Sequence, residues 1–379
     1  MATLSRKAAL AILIAIEKNN SYVNLELKKK LPKYSLEARD RGLVTELVYG
    51  VIQYRNTLDW ALNTLLKKPL KKMDVPVKNL LRLGAYQILY LDKVPNSAAC
   101  NESVELAKKV SHKGAVGMVN GVLRNLVRNK DNLPWPDKNK DLSTFLALKY
   151  AHPPWLVQRW LLRFTPEEVE QLLIANNTHP ALSLRVNTLR AAPAKVKKSL
   201  KEKGFITREG LLPEILVVQE GKGNITDLKS YREGYFAVQG ESSALAAHIL
   251  SPGEGERVVD MCSAPGGKTT HLAQIMNNTG EIIAGDIYPH RVNLVAASCQ
   301  RLGISNTRSL VWDATKLPEE YIGQIDKVLL DAPCSGLGVL RRKPDLKWQK
   351  HKEDSASLAL LQLKLLQEGS KLLKDKGLI

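Results

Sequence analysis

Apolar residues in the first 130 positions recur with the spacing of an α-helix. They occupy Leu43, Val44, Leu47, Val48, Val51 and Ile52, and later Val119, Val122, Leu123, Leu126 and Val127. Steps of three and four residues place each set on one helical face, with Arg124 and Arg128 opposite the second set. Strand-like alternation is scarce in this region. The pattern therefore predicts an all-α bundle over residues 1–135.

The pattern becomes mixed after a linker at 129–141, which is rich in Pro, Asn, Asp and Lys. Alternation over 182–188 and an apolar run at 214–219 predict two strands, and 193–203 suits a helix with Pro193 in its first turn. These features predict a small α+β connecting domain over residues 142–235.

Short apolar strands and helices alternate over residues 236–379. The predicted strands cover 257–261, 281–285, 307–312 and 327–330. Near-continuous apolar strands separated by helices indicate a parallel sheet covered on both faces, as in Rossmann-like α/β domains. Ligands of such sheets bind beyond the carboxyl ends of the strands. Because an acidic residue or a glycine-rich loop follows each strand, the sequence predicts a ligand site at that edge.

The net charge of the chain indicates what kind of partner it binds. Its 56 Lys and Arg against 38 Asp and Glu give a formal net charge of +18. Most of the excess lies in residues 1–150, which hold 26 basic and 13 acidic side chains. Basic runs such as 28–30 can simply be solvated surface that maintains solubility. A helical block this basic nevertheless favours binding to nucleic acid.

The cysteines and the N-terminus exclude several classes of protein. Cys100, Cys262, Cys299 and Cys334 form no Cys-x-x-Cys pair, which argues against a structural zinc site and against a disulfide-stapled secreted fold. The apolar run 8–16 is too short to cross a bilayer and leads into Glu17 without a cleavage site. We therefore expect a cytoplasmic protein with no membrane segment and no metal.

The loop after the first of these strands allows three interpretations. It consists of Cys262, Ser263, Ala264, Pro265, Gly266, Gly267 and Lys268. The end of this loop matches a nucleotide-binding P-loop, but Cys262 stands where that motif has its first glycine. A dinucleotide site is weaker, because the G-x-G-x-x-G spacing is absent. In an S-adenosylmethionine site, Gly266 and Gly267 would let the backbone approach the methionine end of the cofactor, and the helix N-terminus would face its carboxylate.

Acidic residues at the next strand ends suit the third interpretation. Asp286 is placed to accept hydrogen bonds from both ribose hydroxyls, and Asp313 to accept one from the adenine amine, with Trp312 as a candidate apolar wall. The simpler alternative is that these acids cap the helices that follow them. With Asp331 after the fourth strand, three acids lie in register along one edge, which favours the ligand site.

A cysteine, Cys334, follows the fourth strand in the turn 331–336. A structural thiol is expected within a strand rather than in a glycine-rich turn. A thiol has a chemical use here, because carbon 5 of cytosine becomes nucleophilic only after a thiolate adds to carbon 6. Asp331 would contact the edge of the base during that addition. Cys262 and Cys299 are predicted to be packing residues.

These motifs resemble those of the bacterial RNA (cytosine-5) methyltransferases, in the Sun/Fmu (RsmB) group that methylates 16S ribosomal RNA. The resemblance extends over essentially the whole chain. Segments 47–51, 81–86, 101–106 and 119–124 are similar to that family's NusB-like RNA-binding domain, and 183–187 and 239–243 to its connecting region. Segments 260–268 and 331–336 are similar to its cofactor and Pro-Cys motifs. Segment 341–345 with Trp348 resembles the part that follows, where an RNA-backbone contact is expected.

The resemblance implies roles for particular residues. Residues 262–268, Asp286, Asp313 and Asp331 would contact S-adenosylmethionine, and 16S ribosomal RNA would be the partner of a monomeric enzyme. The Cys334 thiol would assist release of the methylated base, since the family's nucleophile is a second cysteine, in a Thr-Cys motif after the fifth strand. No Thr-Cys pair occurs in these 379 residues.

Two expectations follow from that departure. We expect a C-terminally incomplete catalytic domain that holds only the first four strands, which would leave 327–330 as an uncovered, aggregation-prone edge. We also expect methyl transfer by this chain to be absent or residual, because Cys334 would have to change roles. A non-catalytic RNA-binding or transcription-associated NusB-like module is the alternative function.

Overall fold

The computed structural model describes residues 3–379, which form two compact units. The first unit holds residues up to 179 together with 336–352, and the second holds 180–335 and 353–379. Helices α1 to α17 are Leu4–Asn19, Val23–Lys30, Ala38–Gln53, Arg55–Asn63, Val75–Tyr90, Asn96–Val110, Lys113–Asn129, Leu142–Lys149, Pro154–Leu161, Pro166–Asn177, Pro193–Glu202, Lys229–Arg232, Glu241–Leu250, Gly267–Ile275, Pro289–Leu302, Leu346–Gln349 and Asp354–Leu372. Strands β1 to β9 are Leu182–Val186, Ile206–Glu209, Ile215–Glu220, Phe236–Val238, Arg257–Asp260, Glu281–Asp286, Thr307–Val311, Ile325–Leu329 and Leu373–Leu378.

The first unit is helical, as the apolar spacing predicted. The predicted faces are the buried ones: Val44, Leu47, Val48, Val51 and Ile52 in α3, and Val119, Val122, Leu123 and Leu126 in α7. Helices α3 and α5 approach closely at Gly50, where a Cβ atom would lie 1.9 Å from Tyr86 Cζ. Across residues 3–379, no helix is both long enough and apolar enough to cross a membrane.

Residues 336–352 complete the core of this helical unit. Leu340 and Leu346 are buried against Leu156 of α9. Lys347 is almost fully buried, and its Nζ donates to Asn177 Oδ1 at 2.7 Å and to the Ala151 carbonyl at 3.1 Å. Burial lowers the pKa of Lys347 to about 7. The segment after the Pro-Cys motif is therefore an integral part of the helical unit.

The predicted RNA contact at 341–345 and Trp348 is only partly accessible. Asp345 is buried and accepts the Val23 N–H at 3.2 Å, and Trp348 donates its indole N–H to the Ile52 carbonyl at 2.6 Å. Arg341 is exposed and donates to the His179 carbonyl at 2.8 Å. A contact with an RNA backbone remains a prediction for the exposed cations of the segment, Arg341, Arg342 and Lys343.

The second unit begins at residue 180, within the predicted α+β region 142–235; residues 142–179, with helices α8 to α10, belong to the first unit. The antiparallel sheet of the second unit has the strand order β2-β3-β1-β4. Leu184 of β1, Leu216 of β3 and Phe236 of β4 are buried together with Val196 and Leu200 of α11. The two strands and the helix predicted from the alternation pattern are all present, with bounds that differ by one or two residues.

The rest of the second unit contains the predicted parallel sheet, with strand order β7-β6-β5-β8-β9. Neighbouring residues of β5 face opposite cores. Val258 packs in the core that includes Leu272 of α14, and Val259 packs in the core that includes Leu365 of α17. Both faces of the central strand are covered, which explains its continuous apolar sequence.

The expectation of four strands with an uncovered edge was wrong. Strand β9 lies parallel to β8 and pairs Leu373 with Ile325 and Leu378 with Lys327, with an irregularity between the two pairs. The helix before it, α17, ends at Leu372. Because three of the six residues in Leu373–Leu378 are charged, the strand has no apolar run from which it could be predicted. The strand that leads to Asp331 therefore has a neighbour on both sides.

Candidate active site

The predicted ligand residues meet at one edge of the parallel sheet. Asp286 is the last residue of β6, and the loop 261–266 follows β5. Asp313 and Asp331 each lie two residues beyond their strands, β7 and β8. Since these four strands are parallel neighbours in the order β7-β6-β5-β8, their carboxyl ends face the same side. The structure thus brings together the strand ends that the sequence singled out.

The glycine-rich loop is anchored to the strands on both sides of β5. The Met261 N–H donates to the Leu329 carbonyl at 3.0 Å. Ser263 donates its N–H and its hydroxyl to the Gly285 carbonyl at 2.8 and 2.9 Å. The path of the loop is therefore fixed by β6 and β8 before any ligand binds.

Gly266 and Gly267 have different reasons to be glycine. Gly266 has φ of +94°, and a Cβ there would lie 3.1 Å from Val295 Cα. No atom lies within 4 Å of the Cβ position at Gly267, the first residue of α14. The first glycine is required by the backbone, and the second leaves open space at a helix N-terminus, where N–H groups lack intrahelical acceptors.

Charged groups surround the start of α14. Lys268 Nζ and Asp331 Oδ2 form an ion pair at 2.6 Å. Beneath the loop, Asp260 is fully buried and accepts the Thr269 hydroxyl at 2.7 Å. Burial, reinforced by the charge of Asp331, raises the pKa of Asp260 to about 7. Burial also raises the pKa of the Cys262 thiol to about 12, so this cysteine is a neutral packing group.

Asp286 and Asp313 differ in burial and in the protein groups that contact them. Asp286 is buried, accepts the Tyr288 N–H at 3.2 Å and lies 3.3 Å from Arg291 Nη1. Asp313 is exposed and accepts the backbone N–H and hydroxyl of Thr315 at 2.9 and 2.8 Å, which lowers its pKa. Asp313 thus holds the turn that follows it, and within residues 3–379 no helix begins there for it to cap, contrary to the simpler alternative.

Trp312 is a core residue rather than an exposed wall of the site. Its side chain is buried, and its indole N–H donates to the Met261 carbonyl at 3.1 Å. A Cβ at Gly285 would lie 1.7 Å from the indole Nε1, so β6 needs glycine where the ring crosses it. The tryptophan therefore supports the glycine-rich loop from below.

Cys334 is exposed in the turn after β8. The preceding Pro333 has its carbonyl held by the Gln362 side chain of α17 at 2.8 Å. Cys299 is buried within the core beside α15, as predicted. Of the four cysteines, Cys334 is the exposed one, and it lies on the same edge of the sheet as Asp331.

Sequence analysis missed Arg185, which lies almost fully buried in β1. Its Nη1 donates to Gln239 Oε1 at 2.6 Å and to the Gly267 carbonyl at 2.7 Å, and its Nη2 donates to Thr270 Oγ1 at 2.9 Å. Arg185 thus ties the antiparallel sheet to the helix that begins at the glycine-rich loop. An arginine in an otherwise apolar, alternating strand is the only sequence signal for this role.

Three family models match the chain in sequence order. The NusB family matches residues 3–128, and the ferredoxin-like domain of RsmF/B-like methyltransferases matches 152–224. The 16S rRNA methyltransferase RsmB/F family matches 247–379, which includes the whole parallel sheet. Fold and site together define the class of ribosomal RNA methyltransferases with a NusB-like helical domain and a Rossmann-like sheet.

Full-length similarities narrow this class to one family. Probable ribosomal RNA small subunit methyltransferase B of Bacillus subtilis (strain 168) is 40% identical over 99% of this chain and 83% of its own. Ribosomal RNA small subunit methyltransferase B of Escherichia coli O1:K1 / APEC is 34% identical over 99% of this chain and 84% of its own. The crystal structure of PH0851 superposes over 100% of this chain and 85% of its own, with a TM-score of 0.81 and 27% identity. The chain belongs to the ribosomal RNA small subunit methyltransferase B family.

Proposed function

We propose that this chain binds S-adenosylmethionine at the edge described above and is built to methylate carbon 5 of a cytosine in 16S ribosomal RNA. The observation that carries the proposal is the adjacency of two features at neighbouring strand ends. The open backbone at Gly267 follows β5, and the buried carboxylate of Asp286 ends β6. Membership of the methyltransferase B family supports methyl transfer as the chemistry.

The residues present fit this cofactor. The space at Gly267 would admit the methionine end, and the first N–H groups of α14 would donate to its carboxylate. Asp286 makes two contacts with protein groups, and an ionised carboxylate has about four acceptor positions, so it can also accept from two ribose hydroxyls. Residues 262–268 and Asp331 would complete the contacts, and Asp313 would have to exchange its bonds with Thr315. When bound, S-adenosylmethionine supplies an electrophilic methyl group.

The reaction at cytosine requires a thiolate from the protein. A sulfur–carbon bond at carbon 6 moves electron density to carbon 5, which can then take up a methyl group. Loss of the proton from carbon 5 and cleavage of the sulfur–carbon bond restore the aromatic base. In the family the Pro-Cys thiol serves this release step, and we propose that role for Cys334. Asp331, whose side chain is 58% exposed beside Lys268, is placed to contact the cofactor or the edge of the base.

Isothermal calorimetry with S-adenosylhomocysteine and with ATP tests the proposed cofactor. We expect one molecule of S-adenosylhomocysteine to bind per chain and ATP with Mg²⁺ to show no saturable binding, because Cys262 stands in place of the first P-loop glycine. Lys268→Ala serves as a site variant and Lys316→Ala as a control on the exposed surface. Tight ATP binding with no response to S-adenosylhomocysteine would support a nucleotide-binding protein instead.

We predict that Cys334→Ser leaves methyl transfer by these 379 residues unchanged at a residual level. The physical reason is that the sequence contains no Thr-Cys nucleophile, so release is not the step that limits the reaction. Transfer of a labelled methyl group from S-adenosylmethionine to undermodified 16S ribosomal RNA measures both proteins, and a reaction without protein gives the background. Robust turnover that disappears in Cys334→Ser would instead make Cys334 the nucleophile.

The RNA partner and the organisation of the chain complete the proposal. The basic excess of residues 1–150 would hold ribosomal RNA by its phosphates. The proposed domains are 1–135, 142–235 and 236–379, and each family match falls within one of them. We further propose a monomer that acts in the cytoplasm, on ribosomal RNA. RNA binding that weakens steeply with salt would support the electrostatic part.

A further inference from the structure

Three side chains converge in the second unit, away from the proposed cofactor contacts. Glu214 directly precedes β3, His248 lies on α13, and His271 lies on α14. Nε2 of His248 and Nε2 of His271 lie 2.6 and 3.0 Å from the same atom, Glu214 Oε1. One ligand atom from each residue lies within 4.8 Å of the other two. Two imidazole nitrogens and a carboxylate oxygen therefore point at one small volume.

We propose that Glu214, His248 and His271 form a binding site for a divalent transition metal ion, with Zn²⁺ as the best match. Two imidazoles and one carboxylate are a donor set that zinc accepts, with water as a fourth ligand. Zinc bonds of about 2.0–2.2 Å in a tetrahedron place ligand atoms roughly 3.3 Å apart. The observed separations of 2.6 and 3.0 Å from Oε1 need shifts of less than 1 Å to reach that geometry. No cysteine takes part in this cluster, so the lack of Cys-x-x-Cys pairs does not bear on it.

The protonation states also suit a metal. His271 is fully buried, and burial, with a smaller contribution from the charge of Arg185, lowers its pKa to about 4. Burial alone would raise the pKa of Glu214, but hydrogen bonds from His271 and His248 outweigh it and lower the pKa to about 2. At neutral pH the cluster therefore presents a neutral imidazole at His271 and an ionised carboxylate. Metal binding needs this carboxylate together with the His271 tautomer that carries its proton on Nδ1, an atom with no hydrogen-bond partner among the described residues, so that Nε2 is free to bind the ion.

The exposure of His248 favours entry of a metal ion, and the secondary structure around the cluster favours its retention. The side chain of His248 is 37% exposed, whereas His271 and Glu214 are buried at 0% and 8%. The cluster therefore opens to solvent on the His248 side, where the ion could enter and a water ligand could remain. His248 and His271 lie on helices and Glu214 directly precedes a strand, so little ordering is required on binding. A bound ion would join the approach to β3 to both α13 and α14, and it would stabilise the unit against unfolding.

Titration of the full chain with Zn²⁺ tests the proposal. The protein should carry no affinity tag and should have the substitution Cys334→Ser, because an exposed thiol would compete for zinc. We expect one Zn²⁺ per chain, a higher melting temperature in its presence, and with Co²⁺ the visible absorption of a tetrahedral site. His248→Ala and Glu214→Gln should each weaken Zn²⁺ binding at least about tenfold. His179→Ala, whose side chain is 91% exposed outside the cluster, is the matched control and should leave binding unchanged.

The outcomes separate this proposal from the proposed cofactor site. Zn²⁺ binding without binding of S-adenosylhomocysteine would support the metal site and count against the cofactor. Absence of Zn²⁺ binding, or binding that His248→Ala and Glu214→Gln leave unchanged, would overturn the metal site. The cluster would then be a hydrogen-bonded pair of histidines on one carboxylate. Because His248 is partly exposed, its replacement should fold even if Glu214→Gln does not.

Discussion

Replacing Arg185 with methionine is expected to destabilise the second unit by about 2 kcal/mol, because the buried Gln239 amide oxygen would lose its donor. The part-buried Gly267 carbonyl would keep the Thr270 hydroxyl but lose the guanidinium. The Gln239 amide oxygen and the Gly267 carbonyl receive Arg185 Nη1 at 2.6 and 2.7 Å. Methionine fills a similar volume but donates no hydrogen bond. Each buried acceptor left without a partner costs about 1–3 kcal/mol, which is partly offset because a buried charge is also removed.

Arg185 remains positively charged although it is buried. Burial lowers the pKa of this arginine to about 9, which keeps it a cation at neutral pH. A cation that donates to the first carbonyl of α14 and to the Thr270 hydroxyl fixes the helix start against β1. We therefore class Arg185 as a positioning residue for the proposed cofactor loop.

Two measurements distinguish positioning from a purely structural role. Urea unfolding gives the loss of stability, and calorimetry on the folded variant should show S-adenosylhomocysteine binding weakened about tenfold or more. Arg185→Lys should restore part of the affinity, because lysine keeps the charge and can reach at least one acceptor. Arg208→Met is the control, since Arg208 is exposed on β2 and donates only to the Glu209 carbonyl. If Arg185→Met kept full stability and full affinity for S-adenosylhomocysteine, Arg185 would neither stabilise the unit nor position the loop.

Arg185 also shows where prediction from sequence stops. Local spacing predicted the helices of the first unit and four strands of the parallel sheet, because burial of an apolar face leaves a period in the chain. The residues at the strand ends were predictable for a related reason, since parallel strands place their carboxyl ends on one edge. Arg185, by contrast, donates to Gly267, 82 residues away in sequence. No local pattern encodes such a partner.

Other features that were not predicted from the sequence also depend on partners that lie far away in the chain. Strand β9 contains Lys374, Asp375 and Lys376 and is recognisable only from its pairing with β8. Asp345 lies in the segment predicted to contact RNA, yet it is buried against Val23, and the nearby Lys347 is buried against Asn177; both partners come from helices distant in sequence. Charged residues are buried when tertiary partners satisfy them, and those partners cannot be found from neighbouring positions. The role of Asp313 as a ligand stays a prediction, and its bonds to Thr315 are local, two residues away in sequence.

Replacing Asp286 with alanine is expected to weaken S-adenosylhomocysteine binding about a hundredfold, which corresponds to a loss of about 3 kcal/mol of binding free energy. Two hydrogen bonds from ribose hydroxyls to an ionised carboxylate are each worth roughly 1.5–3 kcal/mol, of which water in the emptied space recovers a part. The carboxylate is buried at the end of β6 and held by the Tyr288 N–H and Arg291, so it is already oriented before the ligand arrives. Asp286→Asn should lose less, because the amide oxygen still accepts one bond.

Two comparisons assign the loss to the ribose. Methylthioadenosine shares the ribose with S-adenosylhomocysteine but lacks the amino acid, so Asp286→Ala should weaken both ligands by the same factor. Gly267→Ala should weaken S-adenosylhomocysteine more than methylthioadenosine, because the added Cβ enters the open space at the start of α14. Asp227→Ala is the matched acidic control, and we expect unchanged affinity, since Asp227 is exposed and lies outside the strand ends that form the proposed site. Unchanged affinity in Asp286→Ala, measured on folded protein, would move the cofactor site away from β6.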